Sequence, residues 1–85
     1  MNLPTGFDQR FDSLRLVREL GSYSAAAQDL NLSPSAIAQQ IHALERDLDA
    51  LLFIRDGNRL LPTEVCEIAA DYAAQAASLR RRMEL

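Results

Sequence analysis

The side chains of this 85-residue chain best suited to chemistry with a partner are Ser35, Gln39, His42, Arg55, Arg59 and Cys66. The amide of Gln39 can pair bidentately with N6 and N7 of adenine, or it can simply solvate a helix. Ser35, at a helix start, can help free amides hold a phosphate, or be an ordinary first-turn residue. His42, one turn past Ala38, can reach a phosphate or a base edge in a pH-dependent way, although a lone exposed histidine often does neither. Arg55 and Arg59 flank a turn as phosphate-tracking cations do, or they keep a hairpin soluble. Cys66 begins a helix whose amides could lower its pKa, which suits a redox sensor; a small buried residue is the plainer reading. Nothing is placed to form a catalytic set, because no Cys–His pair or carboxylate pair shares a site. Cys66 and His42 are the only cysteine and histidine, so an internal disulfide and the usual structural zinc site are both excluded, and no cofactor is implied.

These side chains need a scaffold, and the composition allows only a small one. With 48% apolar and 25% charged residues the chain is one folded domain with a shallow core, of the size that often relies on a partner subunit. The single cysteine, the lack of a signal-peptide pattern and the lack of a long apolar run place it in the cytosol, away from membranes. All nine basic residues are arginine, against twelve acids, for a net charge of −3. That balance argues mildly against nucleic acid, which usually meets a basic surface. The stretch from Ser22 to Leu48 is itself acidic, and the positive charge lies at Arg55, Arg59 and Arg80 to Arg82.

Residues 1–6 carry Pro4 and Gly6 without apolar periodicity and read as a flexible leader. From Phe7, the steps Phe11, Leu14, Val17 and Leu20 predict an amphipathic helix, capped by Asp8 or Asp12 and stopped by Gly21. Ser24 is the expected N-cap of a short Ala-rich helix ending at Asn31, with Leu32 plugging the turn. Ser33-Pro34 restarts a helix in the favoured order. Its buried face is Ile37, Ile41, Leu44 and Leu48, with Ser35, Ala38, Gln39, His42 and Arg46 on the other side. Two helices joined by such a turn form a helix-turn-helix, whose second helix enters the DNA major groove. Leu51 to Arg55, the turn Asp56-Gly57-Asn58 and Arg59 to Leu61 predict a two-stranded wing, with Pro62 at its end. Thr63 then caps a long helix on which Val65, Ala69, Tyr72, Ala76, Leu79 and Met83 form a heptad seam suited to a second chain.

Gly21-Ser22-Tyr23-Ser24-Ala25-Ala26-Ala27 through Leu30, Ser33 to Glu45, Leu52-Phe53-Ile54-Arg55 and Leu61-Pro62-Thr63-Glu64 occur in a specific order. Over roughly residues 11–83 the chain resembles the amino-terminal DNA-binding domain of LysR-type transcriptional regulators. The resemblance implies a mainly α winged helix-turn-helix: a three-helix core and a two-stranded wing over 7–62, then a linker helix over 63–85 that pairs two subunits. It further implies that Ser24, Ser33, Pro34, Ser35, Ala38, Gln39 and His42 face double-stranded DNA, and that Arg55 and Arg59 follow its phosphates. The expected function is therefore sequence-specific DNA binding by a homodimer, without catalysis.

The chain departs from the family pattern at Ala25, at Ala38-Gln39 and at Cys66, where an Arg, a Ser/Thr-Arg/Lys pair and a Gly are usual. Fewer side chains then reach the DNA backbone, so affinity should be lower and less dependent on salt. An acidic winged-helix module that has lost DNA and binds another protein is the rival reading. The family's larger effector-binding domain is absent from this chain.

Overall fold

Helix α1 runs over Gln9–Leu20 because Phe11, Leu14 and Val17 fall on one stripe, and all three are buried. It stops where Gly21 takes a φ of +78°, open to glycine but costly for a residue with a Cβ. The computed structural model describes residues 9–84, so the leader over 1–6 and a cap at Asp8 lie outside it. The alternative cap, Asp12, is not one: it sits inside the first turn of α1.

Helix α2 covers Tyr23–Leu30, and its N-cap is Ser22, not Ser24. The Ser22 hydroxyl accepts from the Ala25 amide at 3.0 Å from an extended backbone, while Ser24 is already helical and exposed. Two serines stand near this helix start. Capping from Ser22 brings Tyr23 into the first turn, where it packs against the core. At the other end Asn31 adopts the left-handed conformation (φ 58°), and the Leu32 amide reaches back to the Ala27 carbonyl at 2.9 Å. Leu32 is half-buried beneath that turn, as expected.

Helix α3 follows at once over Pro34–Leu48, with the Ser33 hydroxyl accepting from Ala36 at 3.1 Å. Ile37, Ile41 and Leu44 are fully buried against α1 and α2, and Leu48 is half-buried at the margin. Each fully buried side chain of this size stabilises the fold by about 1.5–3 kcal/mol. Arg10 and Asp47 pair at 2.9 Å across α1 and α3.

The wing is an antiparallel pair, β1 (Phe53–Asp56) and β2 (Arg59–Pro62), in the register Phe53 with Pro62, Ile54 with Leu61, Arg55 with Leu60 and Asp56 with Arg59. Gly57 supplies the positive φ of the two-residue turn. Leu52 and Phe53 anchor the ribbon in the core, which a two-stranded sheet needs. Helix α4, Glu64–Met83, is capped by Thr63 and about 30 Å long at 1.5 Å per residue. Its buried stripe is Cys66, Ala69, Ala70, Ala73 and Ala77, small residues that let α4 lie close along α1. Phe11 and Tyr72 meet edge to face there, their centroids 5.6 Å apart. Among the described residues no helix is long and apolar enough to cross a membrane.

Candidate nucleic-acid interface

The three fully buried residues of α3 fix the roll of the helix, and that roll decides what is offered outside. Ser33, Pro34, Ser35, Gln39, His42 and Arg46 are exposed, and Ala38 is half-buried among them. Neighbouring glutamines are divided by the same roll: Gln39 points out, whereas Gln40 accepts a hydrogen bond from the hydroxyl of fully buried Ser13 on α1. The outer face of α3 is therefore a polar surface, uncharged apart from Arg46, that the other described elements leave exposed. A free helix start lies at one end, and Ser24 is exposed on α2.

The acidity of the central segment largely lies off this face. Asp47 is engaged by Arg10. The Glu45 carboxylate is mostly buried; one oxygen lies 3.0 Å from His42 Nδ1 and the other accepts from the Leu52 amide at 2.8 Å. An acidic count along the sequence thus does not become an acidic outer face on α3.

The wing arginines are separated. Side chains alternate along a strand, so Arg55 shares a face with Phe53 and Leu60, which turn towards the core, while Arg59 shares the other face with Asp56, Ile54 and Leu61. Both arginines are exposed, on opposite faces of the ribbon. Arg55 lies near the half-buried Tyr23 phenol. Burial raises the pKa of that phenol first, the Glu45 carboxylate raises it further, and Arg55 opposes the shift.

The seam expected on α4 is likewise divided. Ala69 is buried in the chain's own core, Val65 packs partly against that core, and Ala76 is half-buried. Tyr72, Leu79 and Met83 are exposed, and they are joined by Ile68, which is 63% exposed and was not part of the expected seam. The exposed apolar row therefore includes Ile68 and not Val65 or Ala69, because the small residues of α4 supply the intramolecular contact. Cys66 is fully buried, and its thiol is pushed up to about 12 by burial and secondarily by Glu67, with Arg18 opposing. The plainer of the two readings, a small buried residue, therefore holds, and burial acts against the activated thiol that a redox sensor would need.

The family model for bacterial regulatory helix-turn-helix proteins of the lysR family matches residues 9–67. The chain belongs to that family. Among relatives, the HTH-type transcriptional regulator y4mQ of Sinorhizobium fredii is 44% identical over 66 residues, which cover 76% of this chain and 22% of that protein. The transcriptional activator HvrB of Rhodobacter capsulatus is 58% identical over 40 residues, covering 47% of this chain and 14% of its own. This chain thus spans a minor part of the length of those regulators. In structure it matches the DNA-binding domain of CbnR, solved with DNA, at a TM-score of 0.83 and 28% identity, covering 88% of this chain and 86% of that one. Full-length LysG of Corynebacterium glutamicum matches at 0.81 and 28% identity, over 89% of this chain and 26% of that one. The four helices and two strands are those of the LysR-type winged helix-turn-helix.

Within this LysR-type domain, sequence reasoning missed Ser13, Gln40, Glu45 and Ile68. The signal for Glu45 was present in its spacing of three from His42, which puts both side chains on neighbouring positions of one helix. For Ser13 there was none, because a serine inside an apolar stripe reads as an interruption until its partner is known.

Proposed function

We propose that this chain binds double-stranded DNA as the DNA-binding part of a cytoplasmic LysR-type transcription regulator. Helix α3 lies in the major groove, presenting Ser33, Pro34, Ser35, Ala38, Gln39 and His42. Ser24 at the start of α2 and Arg55 and Arg59 of the wing meet the backbone on either side. Two copies pair through α4 and set two such helices on successive faces of a partly palindromic site. No catalytic role is proposed for any residue.

The observation that carries this reading is the outer face of α3. It is polar, nearly neutral and open along its length, directly opposite three fully buried side chains. The likeness to the CbnR domain solved with DNA supports the same docking. The engagement of Glu45 and Asp47 removes the main argument for an acidic protein-binding module. Selection of bound sequences from a random duplex pool, followed by mobility shift at low salt, tests the proposal. An enriched, partly palindromic motif is expected; a chain that retards no duplex at low salt overturns it.

A further inference from the structure

The loop after α3 is wound around one side chain. Asp49 turns the helix off in the left-handed conformation (φ 53°), and the Ala50 amide returns to the Glu45 carbonyl at 3.1 Å. The Glu45 side chain then takes the Leu52 amide at 2.8 Å. That amide belongs to the peptide joining Leu51 and Leu52, whose carbonyl accepts from the Thr63 hydroxyl at 2.7 Å. The same Thr63 oxygen accepts from the Cys66 amide at 3.1 Å, and the Thr63 amide donates to the Leu52 carbonyl at 3.0 Å. On the other side, Glu45 reaches His42 on the groove-facing side of α3. A continuous path therefore runs from the exposed face of α3, through Glu45 and a single peptide, to the N-cap of α4, and β1 of the wing starts at Phe53, directly after that peptide.

We propose that Glu45 is a positioning residue that locks the recognition helix to both the wing and the linker helix through the Leu51–Leu52 peptide. The inference rests on the DNA-binding reading above and deepens it. A carboxylate suits the task because its two oxygens serve two partners at once, and a bond to a charged acceptor is stronger than a neutral one. The environment holds it in place: the side chain is mostly buried, and Leu44 and Leu52 on either side are fully so. Charged or titratable groups around it include His42 and Arg46 on α3, Asp49 at the end of α3 and Tyr23 on α2, and Arg55 on β1 acts on the same Tyr23 phenol. With the lock intact, Arg55 keeps a fixed place relative to Gln39. Without it, the wing hinges at Leu52 and its arginines contribute little to binding.

The test combines affinity with amide exchange, using the full 85-residue chain and a labelled mixed-sequence duplex at low salt. Glu45→Ala is expected to weaken binding several-fold and to lower the salt slope by about 0.9 for each phosphate that the wing no longer neutralises. Arg55→Ala is expected to weaken the wild type and to change the Glu45→Ala chain little, since a displaced wing no longer uses that residue. Glu45→Gln, which keeps an acceptor for the Leu52 amide, is expected to restore both the affinity and the Arg55 effect. Exchange of the Leu52 amide should accelerate in Glu45→Ala and stay slow in Glu45→Gln. Independent effects of Glu45→Ala and Arg55→Ala, or unchanged Leu52 exchange, overturn the lock. If the Ala variant does not fold, a scalar coupling across the hydrogen bond from the Leu52 amide to the Glu45 carboxylate in the wild type decides instead, and its absence overturns the lock. A wild type that binds no duplex overturns the DNA reading and the role of Glu45 in it, whereas fast Leu52 exchange in a wild type that does bind overturns the lock alone.

Discussion

The hydroxyl of Ser13 on α1 donates to the side-chain carbonyl of Gln40 on α3, and this bond ties the core-facing side of the recognition helix to the first helix. Ser13 is fully buried, whereas Gln40 is half-buried. The two partners should therefore respond unequally to loss. Gln40→Ala strands a hydroxyl that water cannot reach, at a cost of about 1–3 kcal/mol. Ser13→Ala leaves an amide that can turn to solvent and should cost less. Each kcal/mol lowers the melting temperature of a domain of this size by about 4–8 °C. Replacing both, as Ser13→Ala with Gln40→Leu, should recover most of the loss, because no polar group is then left unpaired. Thermal melts of the three variants check the order, and a double variant as unstable as the sum of the singles would contradict the account.

Much of this arrangement was legible in the sequence for a physical reason. Residues whose roles follow from local chemistry were placed correctly: Pro34 at a helix start, Asn31 and Gly21 at helix ends, Thr63 as a cap, and the turn at Gly57. The buried stripe of α3 followed from the 3.6-residue period, and with it the exposed face. What failed depended on a neighbour's identity. Ser22 and Ser24 are equivalent as capping residues until Tyr23 must find the core. A heptad on α4 could face either α1 or a second chain, and the alanines at 69, 70, 73 and 77 gave the inner place to α1. That Arg55 and Arg59 flank the turn was legible, but the faces they occupy follow only from the strand register, which puts them on opposite sides of the ribbon.

The buried thiol predicts an alkaline limit to stability. Its pKa in the fold is about 12, against an ordinary value of 9.0. A group whose folded pKa is raised favours the fold while protonated. That stability is complete below pH 9 and is lost as pH rises towards 12, because the unfolded chain ionises first. The expected slope in this window is about 1.4 kcal/mol per pH unit from one group. The Tyr23 phenol, also shifted upwards, acts in the same direction. Denaturant titrations across the window should show a shallower fall in Cys66→Ala than in the wild type. Thiol reagents at neutral pH should modify Cys66 only after unfolding, and rapid labelling of the native chain would contradict the burial.

The row Ile68, Tyr72, Leu79 and Met83 leaves four large apolar side chains on one helix in water, with Met83 68% exposed. Pairing of two α4 helices would remove them from solvent at about 25 cal/mol per Å2 of apolar surface. Leu79→Glu and Ile68→Glu should each shift the chain from dimer to monomer in sedimentation equilibrium. Ala69→Glu should behave differently, because Ala69 faces the chain's own core; it should unfold the domain and not merely dissociate it. A wild type that sediments as a monomer, or a dimer whose mass Leu79→Glu leaves unchanged, would rule out pairing through this row.

Gln39 separates base reading from simple charge. It is exposed at the centre of the outer face of α3, with half-buried Ala38 beside it. If Gln39 pairs with an adenine, Gln39→Ala should lose discrimination at one base pair of the selected site, worth about 1–3 kcal/mol, while the dependence of binding on salt stays the same. Gln39→Arg adds a cation where the family usually carries one. It should bind mixed-sequence duplex more tightly, with a slope of log affinity against log salt steeper by about 0.9. The two substitutions thus move different observables: one the specificity ratio, the other the salt slope. A Gln39→Ala chain with unaltered preference at every position would show that this residue only solvates the helix, and it would move the reading of bases to Ser35 and His42 on the same face.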